Sequence, residues 1–124
     1  MADPLAIVSF MHTSGTTGVP KFCAQTHSYF LRLGADMATA LGLSAADRML
    51  APLPLFHINP MGYGVVGALT AHAAMLSTDK FSAADFWRDV KMHGVTALVM
   101  HAPPANLLKA KTCTEDAEDR KSVV

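Results

Sequence analysis

Ten residues, His12 to Lys21 (HTSGTTGVPK), concentrate polar chemistry that the rest of the chain spreads thinly. Thr13, Ser14, Thr16 and Thr17 carry hydroxyls, Gly15 and Gly18 free the backbone, and Lys21 closes the run with a cation. The stretch gives a core almost nothing apolar to bury, and Gly15, Gly18 and Pro20 oppose a long helix. As a loop it suits an anion. Glycines leave N–H groups free to point at one ligand, hydroxyls add donors, and lysine neutralises charge. The expectation is an exposed phosphate cradle between two extended segments.

The Gly-x-x-x-x-Gly-Lys-Ser/Thr pattern of P-loop nucleotide hydrolases does not fit these residues. Val19 and Pro20 separate Gly18 from Lys21, Phe22 holds the hydroxyl position, and Pro20 opposes an immediate helix start. His12, His27, His72, His93 and His101 show no metal-ligand spacing, and each is expected in a core or surface role. Cys23 and Cys113 lie far apart and read as two free thiols of a reducing compartment, with no metal site expected. The N-terminus lacks a basic region followed by an apolar run. A cytoplasmic location follows as the expectation.

The elements that must position this loop alternate in type. AIVSFMH (residues 6–12) predicts a strand entering the loop, and FCAQTH (22–27) a returning partner that makes the loop a hairpin tip. Residues 28–41 place Phe30, Leu33, Met37 and Leu41 on one helical stripe, and Gly42 suits the stop. A strand over 48–53 precedes a helix over 59–73, with Asn59 as its N-cap and Pro60 at the first helical position. A strand over 73–77 leads to a helix over 82–94. There Ser82 and Asp85 have capping-box spacing, Phe86 and Val90 face inward, and Gly94 ends the element. Trp87 is expected in the core. A strand over 96–101 and a short helix opened by Pro103-Pro104 complete the series. This order predicts an α/β fold: a mainly parallel sheet segment with covering helices and a glycine-rich hairpin. Residues 112–124 are polar, mixed in charge and aperiodic, which predicts a frayed tail or linker after a unit spanning 1–111.

Composition narrows the function class. The chain of 124 residues is 51% hydrophobic and 16% charged, which argues for a packed core and against disorder. Ten Lys and Arg balance ten Asp and Glu, so net charge points to neither nucleic acid nor a membrane surface. Met49 to Thr78 contains no charged side chain other than histidine. Prolines at 52, 54 and 60 and glycines at 62, 64 and 67 break that run, which argues against a transmembrane helix. Burial between protein layers accounts for it better.

TSGTTGVPK followed by QTH resembles the signature of the adenylate-forming superfamily, the AMP-binding acyl-CoA synthetases and their relatives. PLPLFHINP (52–60) is similar to that family's second marker, and HAPPANLL (101–108) to its Pro-Pro helix start. The resemblance covers nearly all of residues 3–111, and the middle of the chain is most like the crotonobetaine/carnitine–CoA ligase type. It implies ATP-dependent ligation of a carboxylic acid to coenzyme A through an acyl-adenylate. Thr13, Ser14, Gly15, Thr16, Thr17, Gly18 and Lys21 would then hold the ATP phosphates and the departing pyrophosphate. Phe22 stands where the family usually has glycine.

The same resemblance makes His57 the catalytic candidate, beside the acyl carboxylate and the thiol entrance. Met61, Gly62, Tyr63 and Val66 would line the acyl pocket. Without the resemblance, His57 reads as a partly buried histidine capping backbone groups, and the other four as a helix face packed on a sheet. Family members carry further motifs for adenine, ribose and Mg²⁺, together with a lysine on a mobile domain, and this sequence contains none of them. The magnesium ligand is therefore expected outside the chain. The chain is expected to be part of a larger domain, inactive alone, and to self-associate through exposed apolar surface, foremost MGYGVVGAL and TALVM. Two other readings stay open: a non-catalytic phosphate-binding module acting with a partner chain, and part of an amino-acid-adenylating domain.

Overall fold

The computed structural model describes residues 3–12, 18–109 and 121–123. Strand β1 (Ile7–His12) and strand β2 (Phe22–Thr26) form an antiparallel hairpin in which His12 stands opposite Phe22 and Met11 opposite Cys23. The register shifts between Ile7 and Ser9. The chain then turns at once into helix α1 (His27–Leu41). Thr26 caps it, its Oγ1 accepting the Tyr29 N–H at 3.3 Å. Gly42 closes α1 at φ +55°, and the Leu43 N–H reaches back to the Ala38 carbonyl at 2.8 Å. That left-handed closure is the one glycine supplies at least cost. Of the expected stripe, Phe30 and Met37 are buried and Leu33 and Leu41 half-buried.

A second sheet holds β4 (Ala74–Ser77), β3 (Arg48–Ala51), β5 (Ala97–Val99) and β6 (Lys121–Val123) in that order, all parallel. The fold class is α/β, as expected. Alternation along β3 divides the core. Leu50 faces a cluster with Phe86, Val90, Val95 and Met100, which involves helices α3 (Phe86–Met92) and α4 (Ala102–Lys109). Met49 faces the other way, with Ala68, Ala97 and Val99. Both faces of the sheet are covered, as parallel sheets require. Trp87 is half-buried, edge-on to Phe86 at 4.9 Å between ring centroids.

Three expectations need correction. The helix foreseen over 59–73 is a π-helical segment, Asn59–Val66, followed by one α-turn, α2 (Gly67–Thr70). Its N-cap is Ile58, and Asn59 lies inside it with Oδ1 buried and unpartnered among the described residues. Helical bonding starts earlier than the Asn-Pro signal suggests, because the His57 carbonyl already accepts the Met61 N–H at 3.2 Å. Second, the expected polar tail ends in β6, paired with β5, while residues 112–120 lie outside the described residues. Third, MGYGVVGAL and TALVM are mostly packed away: Gly62, Gly64, Ala68, Ala97, Val99 and Met100 are buried. The exposed apolar side chains gather instead on and beside the hairpin, with Leu5 74%, Phe10 64%, Val19 86% and Phe22 72% exposed. A two-stranded hairpin has no second layer of its own, whereas the sheet segments have helices on both faces.

Ser82 does cap its turn. Its Oγ accepts the Asp85 N–H at 3.3 Å and donates to the Asp85 carboxylate at 2.8 Å. The helix proper begins one residue later, at Phe86.

Candidate functional site

The hairpin delivers the glycine-rich segment. β1 ends at His12 and β2 begins at Phe22, so the connection between them is the stretch 13–21. Thr13, Ser14, Gly15, Thr16 and Thr17 lie outside the described residues. Gly18 has φ +140° and is exposed, with open space around the position of an added Cβ. Its backbone, not crowding, is what asks for glycine. Val19, Pro20 and Lys21 are exposed, and Phe22 turns its ring to solvent without breaking the start of β2.

His57 is reached from the opposite direction. β3 leaves the sheet at Ala51 into the buried Pro52 and Leu53. The chain then turns so that the His57 N–H bonds the Pro54 carbonyl at 3.1 Å. With its own carbonyl bound to Met61 N–H, His57 is fixed by backbone bonds on both sides while its side chain is exposed. Its ring centroid lies 4.4 Å from Phe56 and 5.4 Å from His12, and His12 lies 5.5 Å from Phe56. Three aromatic rings therefore bring the entry of the glycine-rich stretch and the Phe-His pair to one place. Sequence reasoning assigned His12 a generic core or surface role, and no signal along β1 marks its tertiary partner.

The four candidate acyl residues do not share one face. Gly62 packs under Leu33 of α1, where an added Cβ would stand 2.5 Å from Leu33 Cδ2. Val66 packs against Gly34 of the same helix, whereas half-buried Tyr63 joins the Met49 cluster on the sheet. Met61 is half-buried. A separate shallow cleft, lined by Leu50, Pro52, Thr78, Lys80, Phe81 and Ser82 among others, includes none of the candidate site residues.

Among the described residues, no group of three or more His, Cys, Asp or Glu is placed to hold a metal ion. No helix among them is long and apolar enough to cross a membrane.

Comparison with known proteins shows the family. The profile of a family described as AMP-binding enzyme matches residues 1–123. A medium/long-chain-fatty-acid–CoA ligase of Mycobacterium marinum is 32% identical over 119 residues, covering 95% of this chain and 24% of the relative. A sulfoacetate–CoA ligase of Cupriavidus necator is 38% identical over 96 residues, covering 77% and 19%. The solved o-succinylbenzoate–CoA synthetase of Bacillus subtilis, in complex with ATP and a magnesium ion, superposes with a TM-score of 0.79 at 29% identity. That match covers 91% of this chain and 24% of the solved one. The chain thus spans about a quarter or less of the length of these relatives. A profile match over nearly the whole chain, joined to the hairpin-borne loop and its Phe-His neighbour, places it in the AMP-binding enzyme family.

Proposed function

We propose that this chain carries the phosphate-binding loop and the acyl-side histidine of an ATP-dependent acid–thiol ligase. In that reaction a carboxylate oxygen attacks the α-phosphorus of ATP, pyrophosphate leaves, and an acyl-adenylate forms. The thiol of coenzyme A then attacks the acyl carbon and AMP departs. Developing charge on the leaving pyrophosphate is where fixed donors and a cation lower the barrier. The hydroxyls of Thr13, Ser14, Thr16 and Thr17, the N–H groups at Gly15 and Gly18, and Lys21 take that role. His57 orients the acid and guards the thiol's approach. Of the four acyl candidates, Gly62 and Val66 are taken up by packing on α1 and Tyr63 by the sheet, which leaves half-buried Met61 as the one nearest to that role. The observation that carries this reading is the 5.4 Å separation of the His12 and His57 rings, which sets the loop's entry beside the acyl-side candidate. The relatives are CoA ligases by name, which supports coenzyme A over a carrier protein as acceptor.

The family resemblance implies adenine, ribose and metal motifs that this sequence does not contain, so the 124 residues alone are expected to bind pyrophosphate weakly and to form no acyl-adenylate. Charge-assisted contacts contribute about 1.5–3 kcal/mol each. A handful, offset by lost ligand freedom, gives roughly millimolar affinity. Titration with pyrophosphate followed by ³¹P NMR and a hydroxamate trap for activated acid test this together. Lys21→Ala is expected to weaken binding about tenfold, the loss of roughly 1.4 kcal/mol. Pyrophosphate binding indifferent to Lys21, or robust acyl-adenylate formation by the 124 residues, overturns the proposal.

A further inference from the structure

We infer that His12 is a positioning residue for His57, an inference that rests on the acyl-side role proposed for His57. Backbone bonds fix where the His57 main chain lies, at Pro54 on one side and Met61 on the other, but they leave its exposed ring free to turn about its side-chain bonds. What narrows that freedom is the pair of rings against it. Phe56, 4.4 Å away and inclined at 50°, is itself 58% exposed and belongs to the same turn, so it moves with His57. His12 differs in kind. It is half-buried, it stands opposite Phe22 in the hairpin register, and it approaches at 5.4 Å and 35° from a separate element. Its 5.5 Å contact with Phe56 closes the three-ring cluster. An aromatic anchor on a paired strand limits the orientations open to an exposed ring, which is how a supporting side chain preorganises a reactive one. His12 also directly precedes Thr13, so the residue that orients His57 is covalently continuous with the proposed phosphate loop. His12 touches neither acid nor phosphate in this scheme. It acts through His57.

The test uses the 124-residue chain with ¹³C-labelled histidine, the His57 ring signal being assigned by its loss in His57→Gln. Cross-relaxation between His12 and His57 ring protons is expected in the unmodified chain, and its absence overturns the inference by itself. His12→Ala is expected to move the His57 ring signal toward that of an unstructured peptide while the other histidine signals stay in place. His12→Phe keeps a ring and is expected to restore the signal toward its original position. A His57 signal unchanged in folded His12→Ala, or no recovery in folded His12→Phe, refutes the positioning role. Pyrophosphate titration of the same samples separates the two ideas. Failure to bind removes the proposed phosphate role, and the ring signals still decide the part played by His12.

Discussion

Replacing Asp47 with alanine is expected to loosen the start of β3, the strand that leads to His57. Asp47 is only 7% exposed. Its Oδ2 accepts the Ser44 N–H at 2.8 Å and the Ser44 hydroxyl at 2.9 Å, while Oδ1 accepts the Thr96 hydroxyl at 2.9 Å. Thr96 Oγ1 in turn accepts the Arg48 N–H at 2.9 Å, so one carboxylate joins the turn before β3 to the residue before β5. Hydrogen bonds to a charged group contribute about 1.5–3 kcal/mol each. Ser44 is exposed and regains water, which removes much of its share, but half-buried Thr96 does not rehydrate freely. A loss of about 2–4 kcal/mol is therefore expected. With a urea slope of about 1.5–2 kcal/mol/M, the unfolding midpoint falls by roughly 1–2.7 M. Thr96→Val should cost less, and the double variant should cost less than the two separately, since they share one bond. Urea titration followed by circular dichroism measures all three. A midpoint shift below ~0.3 M for Asp47→Ala, or strict additivity, refutes the bridging role.

Glycine contacts between α1 and the segment after Asn59 give a further set. In Gly34→Ala the new Cβ stands 2.7 Å from Val66 Cγ1 and 2.8 Å from the Val66 carbonyl oxygen, so about 1–3 kcal/mol is lost, read by thermal unfolding. Gly64→Ala, 2.8 Å from Ala51 Cβ, should behave alike, and a neutral result at either site refutes the close packing. Gly42→Ala meets nothing within 4 Å, so its expected loss of about 1 kcal/mol comes from the φ of +55° alone. Phe10→Ser with Phe22→Ser, both on the exposed hairpin, should reduce self-association in sedimentation while leaving the circular dichroism spectrum unchanged. Unaltered sedimentation would move the associating surface elsewhere.

Much of the fold was legible because local and tertiary demands coincide. Gly42 after α1 and the Ser82–Asp85 pair each announce a boundary that the structure keeps, whereas Thr26, read as strand, turns out to cap α1 one residue earlier than expected. The apolar runs of β3 and β5 read as strands buried on two faces, and they are. Legibility fails where one pattern serves two geometries. Over the eight residues from Asn59 to Val66, an apolar period cannot distinguish an α-helix from the wider π form, and Asn-Pro marks a helix start in either. β6 was illegible for a different reason. Three residues of a polar segment gain strand structure only by pairing with β5, a long-range contact that leaves no local trace.

The site divides along the same line. Residue type alone is what suggests the anion cradle proposed for the glycine-rich stretch, with four hydroxyls, two glycines and a lysine in nine positions. No residue type announces that His12 and His57 meet. Each is a lone imidazole, one ending a strand and one leaving a turn, and only tertiary placement of the hairpin against the β3 exit joins them. The consequence is asymmetric. Under the two proposals, substitutions within the loop should change how an anion is held, whereas those at His12, Phe56 or Pro54 should change how His57 is presented, with the loop residues intact. On those proposals, a chain that kept TSGTTGVPK but lost the ring at position 12 would keep the proposed phosphate donors and lose the ring contact that holds His57.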